Sequence, residues 1–166
     1  MIKIAILISL FLASTYLGFQ TATVYDEKLK FYQDCTKFLK NIKSEISFFK
    51  TDLISMFEKF KFQSKFETLK NSIKDLYIQN KEFNIQDIKT IIDKTIIIDD
   101  DEKNKLAQMF FEIGKIGYYE QLEKISYYIQ TFDEIESRVE QKKNKMMPFC
   151  KKMGAIIGVL LCIILI

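Results

Sequence analysis

The chain has 166 residues, 48% hydrophobic and 28% charged, with a formal net charge of +3, no histidine and no tryptophan. That length allows one domain, and the absence of histidine excludes the usual nucleophile–base dyads and most transition-metal sites. No glycine-rich loop is present to cradle a phosphate, so the expectation is a non-enzymatic protein without a cofactor or a bound metal.

Hydrophobicity is concentrated at the two ends. From Ile4 to Phe19 the chain reads IAILISLFLASTYLGF, and after Lys3 no charge appears until Asp26. A bilayer core needs about 20 apolar residues of helix, so residues 1–25 are predicted to form an N-terminal transmembrane helix. A cleaved signal peptide is the competing reading. It lacks a site with small residues at −3 and −1, because cleavage after Ala22 would place Gln20 at −3. The spacing then favours an uncleaved anchor.

Residues 26–146 carry one helical pattern after another, with few breakers between them. Tyr32, Cys35, Leu39, Ile42, Ile46 and Phe49 follow in steps of three and four, a narrow stripe of the coiled-coil kind. Nothing separates this stripe from the first span, so one long helix is expected to leave the membrane directly. Thr51 or Asp52 is placed to cap a second helix with Leu53, Met56, Phe57 and Phe60 inward. A third carries Phe66, Leu69, Ile73, Leu76 and Tyr77. Asn84 and Asp87 resemble a capping box for a fourth with Ile85, Ile88, Ile91 and Ile92. TIIIDDD, residues 95–101, breaks the pattern before a fifth helix with Leu106, Met109, Phe110 and Ile113. After Gly117 a second long stripe runs through Leu122, Ile125, Ile129, Phe132, Ile135 or Glu136, and Val139. The fold class expected is all-α: a cytoplasmic bundle of five to six helices, whose long first and last helices continue into the membrane.

The C-terminal run, residues 147–166, is predicted as the second transmembrane helix. Lys151 and Lys152 mark its boundary by snorkelling, and Pro148 is expected to kink it. Basic residues flank both spans on the inner side, among them Lys28, Lys30, Lys142, Lys143 and Lys145. The positive-inside rule therefore places the middle region in the cytoplasm. Cys35, Cys150 and Cys162 have no paired spacing and read as reduced thiols. GAIIG, Gly154 to Gly158, matches the small-xxx-small pattern of close membrane-helix packing. Its expected partner is the first span around Ala13 and Gly18, with association with another subunit as the sharper alternative.

Two stretches invite sharper readings. Asp99, Asp100, Asp101 and Glu102 form a dense carboxylate cluster, which suits a divalent-cation site, an acidic docking patch or, more simply, a helix N-terminus. EKFKFQSKFETLK, residues 58–70, interleaves lysines with phenylalanines as in nucleic-acid binders. Residues 26–152 hold 24 basic and 22 acidic side chains, which opposes a nucleic-acid partner. A solvated helix face over buried rings is the simpler reading.

Taken together, the ends and the middle resemble the stage III sporulation protein AB family. The resemblance rests on Lys3, the first apolar run, Thr15, Gly18-Phe19, Tyr25, Leu39, Glu45-Ile46, Thr51 and Leu53. Later it includes Gly114, Gly117, Glu120 and Gln121, then Lys151-Lys152 and the closing apolar run. Asp52 stands where the family usually has proline, the two glycines are three apart rather than four, and Gln121 is three positions early. The resemblance implies a helical cytoplasmic domain similar to that of the inner-membrane platform protein of type II secretion and type IV pilus machines. It further implies a two-span protein of the cell membrane, within the complex joining mother cell and forespore. The implied partners are a companion AA-type ATPase similar to secretion ATPases, other membrane subunits of the complex, the lipid bilayer, and a second copy in a homo-oligomer. ATPase docking is expected on Asp99–Glu102 and on the turn around Gly117 and Glu120. Without the resemblance, the residues also fit a generic two-span membrane adaptor or signalling subunit, or a secreted helical protein.

Overall fold

Five glycines and one proline leave this backbone few places to stop, and the computed structural model describes helices almost throughout. The described residues are 2–49, 53–79, 83–115 and 118–165. Among them six helices and no strand occur: α1 (Ile2–Phe49), α2 (Leu53–Lys59), α3 (Lys65–Gln79), α4 (Ile85–Thr95), α5 (Asp100–Lys115) and α6 (Tyr118–Leu165). The first and last are each 48 residues long, as expected, and α6 passes through Pro148 without ending. Thr51 and Asp52, the expected caps of α2, lie outside the described residues. Among the described residues no helix is long and apolar enough to cross a membrane. The predicted N-terminal span includes the side chains of residues 1–7, and the C-terminal one those of Cys162, Leu165 and Ile166. These lie outside the described residues.

The chain divides into two compact units, residues 1–30 with 136–166, and residues 31–135. The second is a helical domain with an aromatic core. Along α1 it buries Tyr32, Cys35, Leu39, Ile42 and Ile46, and also Phe31 and Phe38. The buried face is therefore wider than the expected seam. The reason is packing from more than one side. Phe38 meets Phe57 of α2 at 5.0 Å and Phe66 of α3 at 5.5 Å between ring centroids, while Tyr32 stacks on Phe132 of α6 at 6.2 Å. Aromatic pairs at these separations add to what burial alone contributes.

α4 forms as read from its sequence. The Asn84 side chain accepts from the Asp87 N–H at 3.0 Å, and the Asp87 carboxylate accepts from the Asn84 N–H at 2.9 Å, a complete capping box. Ile88 and Ile92 are buried, whereas Ile85 is exposed at the first turn. Ile96 ends the helix in an extended conformation, and Ile97 is exposed in the connection to α5.

The stretch 58–70, read as a solvated helix face over buried rings, is divided between two helices and the loop that joins them. α2 stops at Lys59, residues 60–64 form a loop, and α3 starts at Lys65. The loop is held by side chains. Glu67 accepts from the Phe62 N–H at 2.9 Å, and Asp34 accepts from the Ser64 N–H at 3.2 Å. Lys70, which the alternation suggests is solvated, is 1% exposed. Its ammonium donates to the Phe60 carbonyl, pairs with Glu67 at 2.9 Å and lies 5.5 Å from the centre of the Phe62 ring. A buried ammonium is tolerated only with such partners. The lysine acts as an internal clamp on the α2–α3 loop.

Candidate functional site

The first unit is built from the apolar parts of α1 and α6 and their charged continuations. Its helices meet through residues without bulk. A Cβ added at Gly18 would lie 2.8 Å from the Cys150 carbonyl oxygen and 2.9 Å from the Gly154 Cα. One added at Gly154 would lie 3.0 Å from both the Gly18 Cα and the Ser14 carbonyl oxygen. Backbone therefore faces backbone, the arrangement that glycine permits in packed membrane helices. Gly158 faces the ring of Phe11. Ser14 donates its hydroxyl to the Gly154 carbonyl at 2.8 Å, a bond between the two helices, and Ala22 is fully buried on the same face.

The structure sets Gly18 against Gly154 and Gly158 against Phe11, and leaves Ala13 out of the contact. That residue is exposed, because one step along a helix turns the side chain by about 100°. Ser14, Gly18, Ala22 and Asp26 are the ridge, each four residues from the last. The signal was present as small-xxx-small-xxx-small from Ser14 to Ala22. It was obscured because serine is polar and sits beside an alanine.

Away from this ridge the unit is apolar on its outside. Ile8, Leu12, Leu17, Phe19 and Val24 of α1 are each about half exposed or more, as are Ile156, Leu160, Ile163 and Ile164 of α6. Hydroxyls in the apolar part of α1 are turned inward on the backbone: Thr15 donates to the Phe11 carbonyl and Thr21 to the Leu17 carbonyl, both at 2.9 Å. Such i−4 bonds satisfy a hydroxyl where water is absent.

The apolar ridge ends in charge. Asp26 accepts from Lys143 of α6 at 2.6 Å and pairs with Lys30 at 2.7 Å. The Lys143 hydrogen bond, followed by that from Lys30, holds the Asp26 carboxyl below its ordinary range, against the smaller opposing effect of burial. A depressed carboxyl contributes stability that is present above its unfolded value and lost as pH falls through the folded one. The melting temperature of the wild type should therefore exceed that of Asp26→Asn at neutral pH and converge on it as pH falls through the depressed folded value of Asp26. A gap that persists unchanged into acid would refute this assignment. Lys151 lies 5.2 Å from the centre of the Phe19 ring, a cation–π contact, and Lys152 is exposed.

The acidic cluster is divided between core and surface. Asp99 precedes α5, and its carbonyl accepts from the Lys103 N–H at 2.9 Å. Asp100 pairs with Lys103 at 3.1 Å and Asp101 with Lys105 at 2.7 Å, and both carboxylates remain largely exposed. Glu102 is instead buried and accepts from the Tyr32 hydroxyl at 2.8 Å. Burial, together with the negative charge of Glu102, drives the Tyr32 phenol well above its ordinary range. Glu102 is thus part of the core between α1 and α5 and has no surface to offer a partner. Gly117 lies outside the described residues, as do the side chains of Glu120 and Gln121.

A cavity of about 560 Å³ opens between α5 and α6, lined by Gln108, Glu123, Lys124, Tyr127 and Tyr128. Three of its polar groups converge on Glu112: Gln108 donates to it at 3.0 Å, Tyr128 donates at 2.9 Å and Lys124 pairs with it at 3.2 Å. No cluster of metal-ligating residues occurs among the described residues. Cys35 and Cys150 are free thiols.

The family model described as stage III sporulation protein AB (spore_III_AB) matches residues 3–166. No curated protein matches the chain, and no solved structure does.

Proposed function

The chain belongs to the stage III sporulation protein AB family, which implies a role in sporulation, and from that premise we propose that it is a non-enzymatic membrane platform. In this reading α1 and α6 anchor it in the cell membrane through residues 1–25 and 147–166. The unit formed by residues 31–135 faces the mother-cell cytoplasm, where a secretion-type AA ATPase and other membrane subunits of the complex engage it.

The observation that carries the reading is the glycine-packed pair of terminal helices. Its backbones approach closely at Gly18 and Gly154, its α1 hydroxyls bond backbone carbonyls, and its outer face is apolar. That combination suits a lipid surrounding. The lysines beside both apolar stretches support a cytoplasmic middle region. For the ATPase contact, Asp99, Asp100 and Asp101 are the exposed members of the acidic cluster. Glu102 is excluded by its burial.

A reporter fused after residue 80 should read as cytoplasmic, and deletion in the source organism should block spore formation after engulfment. A periplasm-side reporter signal, or normal spores from the deletion strain, would sink the platform reading. Charge reversal at Asp100 and Asp101 should reduce co-purification of the companion ATPase. Undiminished recovery would remove this surface from the docking site.

A further inference from the structure

Charge is unevenly divided between the two units. Residues 1–30 with 136–166 contain nine basic and four acidic side chains, whereas residues 31–135 contain sixteen and eighteen. The excess of the first unit has a pattern. Arg138, Lys142, Lys145 and Lys152 follow in steps of four, three and seven, which places them within an arc of about 80° on α6. All four are exposed, and among the described residues none of them meets a carboxylate. Lys143 and Lys151, on other sides of the helix, are engaged by Asp26 and Phe19. The acidic residues of this part of α6, Glu136 and Glu140, point about 160° or more away from Arg138.

The same arc continues as an apolar one. Phe149, Ile156, Leu160 and Ile163 lie on it, 54%, 51%, 52% and 64% exposed. One face of one helix thus changes from basic to apolar at the level of Phe149. A lipid surface has that sequence of layers: charged headgroups above acyl chains. On the reading of α6 as a membrane anchor, we infer that this face binds anionic phospholipid headgroups through Lys145 and Lys152. Lys152 lies about 4.5 Å into the apolar zone from Phe149, within snorkelling reach of the headgroups, and Lys145 stands about 6 Å above it. Lys142 and Arg138 stand about 10 Å and 16 Å above. The attraction of an anionic surface falls off within a Debye length, about 8–10 Å. The contribution of the four cations is therefore graded, greatest at Lys152 and Lys145 and least at Arg138. An acidic protein helix laid along the stripe would use all four alike.

The test uses the full-length protein in phosphatidylcholine vesicles containing trace spin-labelled phosphatidylglycerol or spin-labelled phosphatidylcholine. The readout is the fraction of each label motionally restricted at the protein. At low salt phosphatidylglycerol should be preferred by at least about fivefold, since a lysine at the surface of an anionic leaflet contributes on that scale. The preference should fall toward parity in about 1 M salt, where screening acts within ~3 Å. Lys145→Gln with Lys152→Gln should abolish most of it, and Arg138→Gln with Lys142→Gln should leave it nearly intact. Parity in the wild type at low salt overturns the inference, as does an equal loss from both double variants, since the level of Lys145 and Lys152 would then carry no special weight. Restricted lipid without preference refutes the headgroup site alone. The absence of restricted lipid of either kind refutes the membrane anchor and the headgroup site together.

Discussion

Gly18→Val should unpair the terminal helices and abolish function while leaving the residue composition of both apolar runs almost unchanged. The new Cβ would stand 2.8 Å from the Cys150 carbonyl oxygen and 2.9 Å from the Gly154 Cα. Both are backbone atoms, so no side chain can turn aside, and ordinary contact requires the helices to part by on the order of 1 Å. That separation breaks the Ser14–Gly154 bond of 2.8 Å and loosens the Asp26–Lys143 pair at 2.6 Å. Overpacking of this kind costs about 1–3 kcal/mol. For a protein of this size it should appear as a fall in melting temperature of roughly 3–10 °C in detergent, together with a loss of spores in the complementation assay. Gly158→Ala is the matched control. There the added atom meets the ring of Phe11, a side chain able to swing, and the change should stay below about 1 kcal/mol. A valine variant as stable as the alanine control would show that the glycine contact is dispensable.

Lys70→Met should destabilise the helical domain strongly, although it trades a charge for an apolar group of similar length. The ammonium is buried, and its removal leaves the Phe60 carbonyl without this donor and Glu67 without its cation. Loss of one partner from a buried pair costs about 3 kcal/mol or more, roughly 6–12 °C in melting temperature. Lys61, exposed in the same loop, provides the comparison: Lys61→Met should change stability by less than about 0.5 kcal/mol. The pH dependence carries a second signature. Burial alone would raise the Glu67 carboxyl, but hydrogen bonds from Lys70, the Phe62 N–H and Asn71 outweigh it and hold the group below its ordinary range. The wild type should therefore lose stability as pH falls through the folded value of Glu67. Lys70→Met, with that depression reduced, should show a flatter acid limb. Equal stability of the two lysine variants in a urea titration would contradict the internal clamp.

Much of the fold was legible because helix-forming rules are local. The three-and-four spacing from Tyr32 to Ile46 and from Ile125 to Val139 marks buried faces of α1 and α6, and those residues are buried except Ile129, which is half-buried beside the buried Tyr128. The capping box at Asn84 and Asp87 was readable because its partners lie three positions apart. Lys70 was misread for the complementary reason. Its neighbours in sequence are polar and aromatic in alternation, and nothing local distinguishes a lysine with a carbonyl waiting above it from a solvated one. Glu102 is a similar case. It stands among three aspartates at a helix start, yet its partner Tyr32 is seventy positions away.

The same division applies to the candidate site. Sequence alone determined that the ends are apolar, that lysines border them, that glycines are available for close packing, and that the usual histidine chemistry is absent. These are statements about composition and local period, and no fold is needed to make them. Tertiary structure decided which small residues meet. It chose Ser14, Gly18 and Ala22 over Ala13, set Gly154 against Gly18, and joined Asp26 to Lys143 across 117 positions. It also separated Lys143 and Lys151, engaged with α1, from the exposed basic arc of Arg138, Lys142, Lys145 and Lys152. Periodicity names the faces that a helix possesses. Which face meets a partner depends on the rotation of one helix against another, and that is set by backbone approach and by pairs of residues remote in the chain.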